Sequence, residues 1–259
     1  KVVDLWAGVK DVDGTAECGI TLFSAEADGR HESPHDGEDE DCYRFIHDAA
    51  AQLDSELIIL NQGMNIWEIF KKDRFLGNAR LANCSKFLKQ RPCRKWLQEN
   101  TTPDAAAVYV GIDWTETHRI SAIRTAYDPR PAFAPLAERK PYLSKDDMLA
   151  LARSYGLEPP KMYAHGYPHA NCGGGCVRAG HAQFKVLLEQ NPERFAWWER
   201  NEQELRDHLD KPVAILRDRT GGRTRPMPLS EFREKLQGGP EQLPMLDLDE
   251  FGGCGCFVD

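Results

Sequence analysis

The chain alternates short apolar runs with amphipathic stretches of helical spacing. Apolar runs over residues 19–24, 56–60 and 105–112 predict β-strands, and amphipathic patterns over residues 41–53 and 84–99 predict helices between them. Apolar strands that alternate with helices are typical of a parallel sheet covered by helices on its faces. The pattern therefore predicts an α/β fold with a doubly wound, mostly parallel sheet, and the helix over residues 84–99 meets a potential break at Pro92.

The second half of the chain predicts further helices around a glycine-rich loop. Ser144 is suited to be the N-cap of a helix, residues 184–209 form a long helical pattern, and residues 213–216 read as a late strand. We expect an α/β domain over residues 1–165. Residues 166–259 are expected to pack on it as a Cys- and Gly-rich loop, a helical region and a C-terminal extension.

Charge and composition narrow the range of partners. The chain has 259 residues, 33 of them basic and 41 acidic, with a net charge of −8, so a globally basic nucleic-acid surface is not expected. Acidic runs at residues 38–41 and 247–250 are expected to be solvated surface. No apolar run reaches the roughly 20 residues that cross a bilayer, and no secretory signal is visible. We expect a cytoplasmic protein without a membrane partner, whose eight cysteines are thiols or metal ligands.

Two glycine-flanked cysteine pairs carry the most distinctive chemistry. Cys172 and Cys176 enclose three glycines, and Cys254 and Cys256 lie among glycines near the end of the sequence. Glycine lets the backbone approach a ligand closely, so the first pair predicts a loop around a ligand. Together with Cys84, these residues could supply four thiolates to an iron–sulfur cluster or to zinc; redox-active thiols and ordinary free thiols are the alternatives. Two histidines offer further zinc ligands: His169 and His181.

Charged residues near predicted strand ends form a second candidate group. Lys89 belongs to a dense basic segment that could hold phosphate or sulfate. Asp113, Glu116 and Arg119 follow the third strand, at the edge where parallel sheets bind their ligands. These three could bind ribose, Mg²⁺ or substrate, and a local ion-pair network is the alternative.

One of these segments resembles an element of a known family. The segment with Cys84, Lys89 and Pro92 is similar to the Cys-Cys-x-x-Arg-Lys-x-x-Pro element of the phosphoadenosine-phosphosulfate (PAPS) reductase family, with Ser85 and Leu88 at the positions that differ. That family lies within the adenine-nucleotide α-hydrolase-like, or ATP pyrophosphatase, superfamily. The resemblance implies that Lys89 acts on the anionic group of the substrate.

The resemblance extends over most of residues 17–200 and includes two strand ends. Phe23 and Ser24 look like the end of the family's second strand, which contacts adenine, and Gly111 begins a segment similar to the family's polar strand-end loop. It implies an adenine nucleotide, ATP or PAPS, as ligand, with Mg²⁺ as a further candidate. The residues implied to bind it are Phe23, Ser24, Gly111, Asp113, Glu116 and Arg119.

The resemblance also implies a reaction. We expect an enzyme that reduces a sulfonucleotide or transfers sulfur in an ATP-dependent step, with a [4Fe-4S] cluster or zinc on Cys84, Cys172, Cys176 and Cys254. In the family's reductases a C-terminal cysteine attacks the sulfate sulfur, a role that Cys254 or Cys256 would take here. Their Glu-Cys-Gly-x-His pattern is absent from the sequence. A nucleic acid or a sulfur carrier is the expected acceptor, and a homo-oligomer is a candidate assembly.

One family motif is missing from the sequence. The Ser-Gly-Gly-x-x-Ser loop, whose backbone N–H groups hold phosphates, is not found. If Trp6 and Ala7 begin the helix after that loop, the loop falls at or before residues 1–5, so it either precedes Lys1 or has been lost. Loss favours the alternative function, a non-catalytic protein that binds a nucleotide or a partner. A zinc-stabilised interaction module is a third interpretation.

Overall fold

The computed structural model describes five stretches of the chain in full and two strands by their backbone. The full stretches are residues 38–78, 80–170, 172–238, 246–248 and 250–252, and the backbone strands are residues 5–9 and 20–26. The secondary structure is a mixture of helices and strands, as the alternating pattern predicts. No helix within these stretches is both long and apolar enough to cross a membrane.

A five-stranded sheet has the order β3-β2-β1-β4-β5. The strands are β1 (Leu5–Val9), β2 (Ile20–Glu26), β3 (Glu56–Asn61), β4 (Ala106–Val110) and β5 (Ala132–Phe133). β2 is parallel to β3 and β4 to β5, whereas β1 is antiparallel to both of its neighbours. β2 and β4 consequently point the same way, and their carboxyl ends lie at the same edge of the sheet.

The antiparallel strand β1 differs from the sequence-based expectation for its residues. Trp6 and Ala7 lie inside this strand, in register with Leu22 and Thr21 of β2, and do not begin a helix. Five residues are too few to distinguish a strand period from a helical one, so the apolar pattern alone could not identify this strand.

Helices make up most of the remaining described residues. They are α1 (Glu40–Gln52), α2 (Ile66–Asp73), α3 (Asn83–Ser85), α4 (Arg91–Asn100), α5 (Ile120–Tyr127), α6 (Pro135–Glu138), α7 (Lys145–Ser154), α8 (Lys161–Ala164), α9 (His181–Gln190), α10 (Pro192–Leu209) and α11 (Leu229–Gln237). The predicted N-cap of α7 is confirmed, because the Ser144 side chain accepts from the backbone N–H of Asp147 at 3.1 Å. Asp39 caps α1 by accepting from the backbone N–H of Asp41 at 3.0 Å.

The predicted basic helix continues through Pro92. Lys86–Gln90 forms a π-helical turn between α3 and α4, in which the Arg91 N–H donates to the Lys86 carbonyl. This wide turn places Pro92 in the first turn of α4, where its missing N–H is not needed and its fixed φ is tolerated. The π turn also buries Lys89, which is 7% exposed.

Two elements of the second half differ in detail from the sequence pattern. The helical pattern over residues 184–209 forms two helices, α9 and α10, which separate at Asn191; its side chain caps α10 by accepting from the Arg194 N–H at 3.0 Å. The predicted late strand begins only at Leu216, as β6 (Leu216–Asp218), which pairs with β7 (Arg225–Met227) in an antiparallel hairpin. The Ile215 N–H donates to the Glu202 carboxylate and is therefore not available to a strand partner.

Buried side chains form two clusters. One lies between the sheet and α4 and α5, and includes Cys93, Leu97 and Val108. The other joins α2 to α9 and α10 through edge-to-face aromatic contacts, with the rings of Trp67 and Trp198 5.2 Å apart. This second cluster, which we call the aromatic core, is the support on which the glycine-rich loop lies.

Candidate functional site

The glycines between Cys172 and Cys176 are required by close packing on the aromatic core. A Cβ atom on Gly173 would lie 1.9 Å from the guanidinium carbon of Arg194, and one on Gly175 would lie 2.1 Å from the indole of Trp198. Neither distance can accommodate a carbon atom. The loop over residues 172–176, which we call the cysteine loop, therefore rests directly on side chains of α10.

Backbone conformation and a buried amide also fix the cysteine loop. Gly174 has a φ of +90°, and a Cβ there would meet the Tyr167 ring at 2.7 Å. Cys172 itself has a φ of +52°, which is uncommon for a residue with a side chain. The side-chain amide of Gln183 donates to the Gly174 carbonyl at 2.8 Å. These contacts hold the two cysteines of the loop in one arrangement.

Three of the predicted metal ligands lie together. The thiols of Cys172 and Cys176 share a hydrogen bond, and Cys84 of α3 lies close enough to Cys172 to interact electrostatically with it. The Cys176 sulfur accepts from the backbone N–H of Arg178 at 3.4 Å, and the Cys84 sulfur accepts from the backbone N–H of Ser85. The fold thus gathers thiols from two distant segments of the chain.

The environment of these thiols favours their neutral form when they carry no ligand. The hydrogen bond to Cys176, together with burial, raises the pKa of Cys172 well above its usual value. Burial raises the pKa of Cys84 to about 12, and the nearby Cys172 adds to this, while Lys89 and Arg178 act in the opposite direction. A free thiolate nucleophile is therefore not the resting state of either cysteine.

Only part of the predicted metal site lies within the described residues. Within the stretches that the structure describes, no group of three or more His, Cys, Asp or Glu side chains is arranged to hold a metal ion. Cys254 and Cys256 lie outside the described residues. Gly252, two residues before Cys254, forms an antiparallel bridge with Ala179, three residues after Cys176. Gly252, the last described residue before the second cysteine pair, is therefore paired with a residue three positions after the cysteine loop.

A buried ion pair adjoins the thiols. The Lys89 ammonium lies 2.7 Å from Oε1 of Glu38, and the side chains are 9% and 14% exposed. Glu38 also accepts from the backbone N–H of Cys172 and faces the charge of Arg194. Burial alone raises the pKa of Glu38, but Lys89, with the other donors, lowers it below its usual value. Glu38 thereby links the π turn to the cysteine loop in its charged form.

The expectation for the first acidic run is wrong at Glu38. The run over residues 38–41 was expected to be solvated surface, yet Glu38 is largely buried and Asp41 forms an ion pair with Arg44 at 2.7 Å. Charge runs usually face solvent, and the sequence contains no signal that one member pairs with Lys89 fifty-one positions away. Arg194 beneath the cysteine loop was missed for the same reason, since it reads as one more charge on an amphipathic helix.

The predicted nucleotide residues that follow β4 lie at the expected edge of the sheet, whereas Phe23 and Ser24 lie in the middle of β2. Gly111 follows β4 directly, and Asp113 caps the 3-10 helix Trp114–Arg119 by accepting from the Thr115 N–H at 2.9 Å. Arg119 is 3% exposed and forms an ion pair with Glu116, which is one pair of the local ion-pair network that was the alternative. Phe23 and Ser24 lie in β2, whose carboxyl end shares this edge. Their side chains are outside the described residues.

The histidine alternative for a zinc ligand is not supported at His181. Its Nδ1 accepts from the backbone N–H of Asp247 at 3.0 Å, and its Nε2 lies 3.0 Å from the carbonyl of Arg217. Both ring nitrogens are thus engaged with backbone groups. Comparisons of the chain with protein-family models, with curated proteins and with solved structures find no match.

Proposed function

We propose that this chain is an enzyme of the PAPS-reductase type that acts on an adenine nucleotide and holds an iron–sulfur cluster, or zinc in its place, on Cys84, Cys172, Cys176 and Cys254. The observation that carries the proposal is the convergence of Cys84 with the cysteine loop, from two separate segments. Packing contributes to that convergence, because Cys176 belongs to the buried cluster of the aromatic core and Cys84 packs against it.

The chemistry of the donor set fits a thiolate-bound cluster. All of the donors are soft sulfur atoms, and two of them already accept backbone N–H groups, as sulfur ligands of clusters do. Two residues of chain separate Cys254 from the Gly252 bridge, and we propose that Cys254 is the fourth ligand on the basis of this short connection. When bound, such a cluster supplies electrons or sulfur next to the nucleotide, whereas zinc supplies a structural link.

The protein's own residues would set up the site around the thiolates. Ligation needs deprotonated thiols, and the Lys89 and Arg178 cations favour that charged form at Cys84. Glu38 keeps Lys89 beside the thiols and connects it to the Cys172 backbone. We propose that Lys89 exchanges part of this ion pair for the sulfate or phosphate of the substrate.

The nucleotide would bind at the carboxyl edge shared by β2 and β4. In this proposal the sheet is the core of a doubly wound domain, with Phe23 and Ser24 on the adenine and Gly111 on the nucleotide backbone. Asp113, Glu116 and Arg119 would contact ribose, Mg²⁺ or the anionic group. Their placement after β4 supports this assignment, since ligands of open α/β sheets lie beyond strand carboxyl ends.

A second candidate function is a non-catalytic binding protein with the same fold. It is favoured by one specific contact, because the Lys89 ammonium is already neutralised by Glu38 and needs no substrate anion. The absent Ser-Gly-Gly-x-x-Ser motif agrees with it. This candidate predicts nucleotide binding without turnover.

Turnover assays distinguish the two candidates. The anaerobically purified chain is incubated separately with PAPS plus a dithiol reductant and with ATP plus Mg²⁺, and sulfite and pyrophosphate are measured. Sulfite release supports sulfonucleotide reduction, and pyrophosphate release supports ATP-dependent sulfur transfer. Binding of either nucleotide with neither product would contradict the enzyme and support the binding protein.

A further inference from the structure

The C-terminal stretch of the described chain is bound along the segment that follows the cysteine loop. We call residues 246–248 and 250–252 the C-terminal clasp. The Gly180 N–H donates to the Phe251 carbonyl at 3.0 Å, and the Ala182 N–H donates to the Glu250 carbonyl at 3.0 Å. These two bonds and the Gly252 bridge form a short antiparallel pairing at the start of α9.

Two glycines make this close approach sterically possible. A Cβ on Gly180 would lie 2.1 Å from the Glu250 carbonyl oxygen. Gly252 has a φ of +75°, and a Cβ there would lie 2.3 Å from the Arg178 carbonyl oxygen. Both neighbours are backbone atoms that cannot move aside as a flexible side chain can. The sequence is thus adapted to the clasp on both of its strands.

His181 lies at the centre of this contact and depends on one protonation state. Nδ1 faces the N–H of Asp247, which can only donate, and Nε2 faces the carbonyl of Arg217, which can only accept. The neutral imidazole with its proton on Nε2 satisfies both groups. A protonated ring would point an N–H at the N–H of Asp247, and that hydrogen bond would be lost.

The groups around His181 come from three elements. Arg219 follows β6 and forms a two-bonded ion pair with Glu250, at 2.6 and 3.2 Å, and the carboxylate of Asp247 also acts on the ring. Phe232 of α11 contributes an uncharged ring 5.5 Å away. Burial lowers the pKa of His181 below its usual 6.5, with Arg219 acting in the same direction, while the Arg217 carbonyl and the two carboxylates oppose it.

We propose that neutral His181 positions the C-terminal clasp against the start of α9, and that protonation of its ring releases the clasp. The release depends only on the contacts of His181 with the backbone groups of Asp247 and Arg217. Any effect of this release on metal binding at the proposed site rests on the proposed function. His181 is a positioning residue in this account, because it contacts the clasp and not the thiols.

Hydrogen exchange of the clasp amides in the full chain tests this proposal. Protection of the Gly180 and Ala182 amides is measured at pH 7.5 and 5.5, relative to intrinsic exchange at each pH. Protection in the native chain should fall at the lower pH, by up to about tenfold, because the pKa of His181 is lowered in the folded chain and pH 5.5 lies one unit below its usual 6.5. His208→Gln, at an exposed histidine of α10, should show the same fall.

His181→Gln is the decisive variant, because glutamine offers an acceptor and a donor but does not titrate. Its clasp protection should change less than about twofold between the two pH values. If this variant does not fold, ¹⁵N spectra of the native chain replace it: the ring should be the Nε2–H tautomer at pH 7.5 and titrate together with the loss of protection. A pH-independent clasp, or an equal fall in His181→Gln, would overturn the proposal.

Metal content separates this proposal from the proposed function. Iron is measured in the same samples after anaerobic purification at each pH. A pH-dependent clasp on a chain that contains no iron would leave the His181 proposal standing and count against the cluster. Iron at both pH values, with amide protection in the clasp that does not change with pH, would support the cluster and overturn the His181 proposal.

Discussion

Lys89 and Glu38 form an ion pair whose N–O distance is 2.7 Å and which lies almost entirely out of solvent. The pair joins the π turn to the start of α1 and, through the Cys172 N–H, to the cysteine loop. Removing one partner of such a pair leaves the other charge buried and uncompensated. The pair is therefore expected to affect both stability and the arrangement of the thiols.

We predict that Lys89→Met destabilises the fold by about 3 kcal/mol, the usual cost of removing one partner of a buried ion pair. Lys95→Met is the matched control, because the Lys95 side chain is 74% exposed and its contact with Glu99 is long, at 3.9 Å. This substitution should cost less than about 0.5 kcal/mol. Urea unfolding measures both. Adding Glu38→Gln to Lys89→Met should recover part of the loss, and equal costs for the two lysine variants would contradict a buried pair.

The contact between Gly175 and Trp198 gives a second prediction. Gly175→Ala should cost about 3 kcal/mol, because its Cβ would lie 2.1 Å from the indole. Gly166→Ala is the control: its φ is +88° but no atom lies within 4 Å, so it should cost about 1–2 kcal/mol from backbone strain alone. In a Trp198→Ala background the cost of Gly175→Ala should shrink, as thermal unfolding of the four variants would show. An unchanged cost would mean that the loop does not rest on Trp198.

Glu202 gives a prediction about pH. Its carboxylate accepts from the N–H groups of Ile215 and Leu229 at 2.8 and 2.7 Å, and burial raises its pKa to about 7. Since the folded pKa lies above the usual 4.5, the contribution of Glu202 to stability is complete below pH 4.5 and is lost as the pH rises towards 7. The stability of the native chain relative to Glu202→Gln should fall over that window, by an amount on the order of 3 kcal/mol.

His181 acts in the opposite direction over an overlapping window. Its folded pKa is lowered, so its contribution is present above pH 6.5 and is lost as the pH falls below that value. The two effects partly cancel in the native chain, which is why urea unfolding must compare each variant with the native protein at pH 4.5, 6 and 7.5. A difference curve for Glu202→Gln that rises with pH would contradict the assignment.

The sequence predicted local structure well where one signal was strong. The Ser144 cap, the helix α1 and the strands β2, β3 and β4 follow from residue type and apolar period. β1 and β5 have five and two residues and carry no readable period. The separation of α9 from α10 at Asn191 depends on a side-chain cap that an uninterrupted helical pattern obscures.

Parts of the candidate site were visible in the sequence, and others needed the fold. Glycine-flanked cysteines stand out by composition, and the structure brings Cys84 to Cys172. Partners from distant segments leave no local signal, which is why the sequence predicts that Glu38 is solvated surface. The reason for the three glycines also differs from the expectation, because they make room for Arg194, Tyr167 and Trp198.

Removal of single thiols gives a further prediction about the proposed cluster. Cys84→Ser and Cys172→Ser should each lose most of the bound iron, because both thiols belong to the gathered set. Cys93→Ser is the control, since Cys93 is fully buried in the other cluster, between the sheet and α4. It should keep its iron even if its stability falls. Iron analysis of the three purified variants, with circular dichroism to confirm folding, provides the measurement; equal iron in all three would contradict the ligand set.

Metal and sulfide analysis of the anaerobically purified native chain, together with its visible spectrum, tests the proposed cluster without any substitution. We predict about four iron and about four sulfide per chain, with broad absorption at about 400 nm. Zinc alone would make the site structural and contradict redox or sulfur chemistry. A chain that holds no metal under these conditions would contradict the proposed cysteine-bound cluster itself.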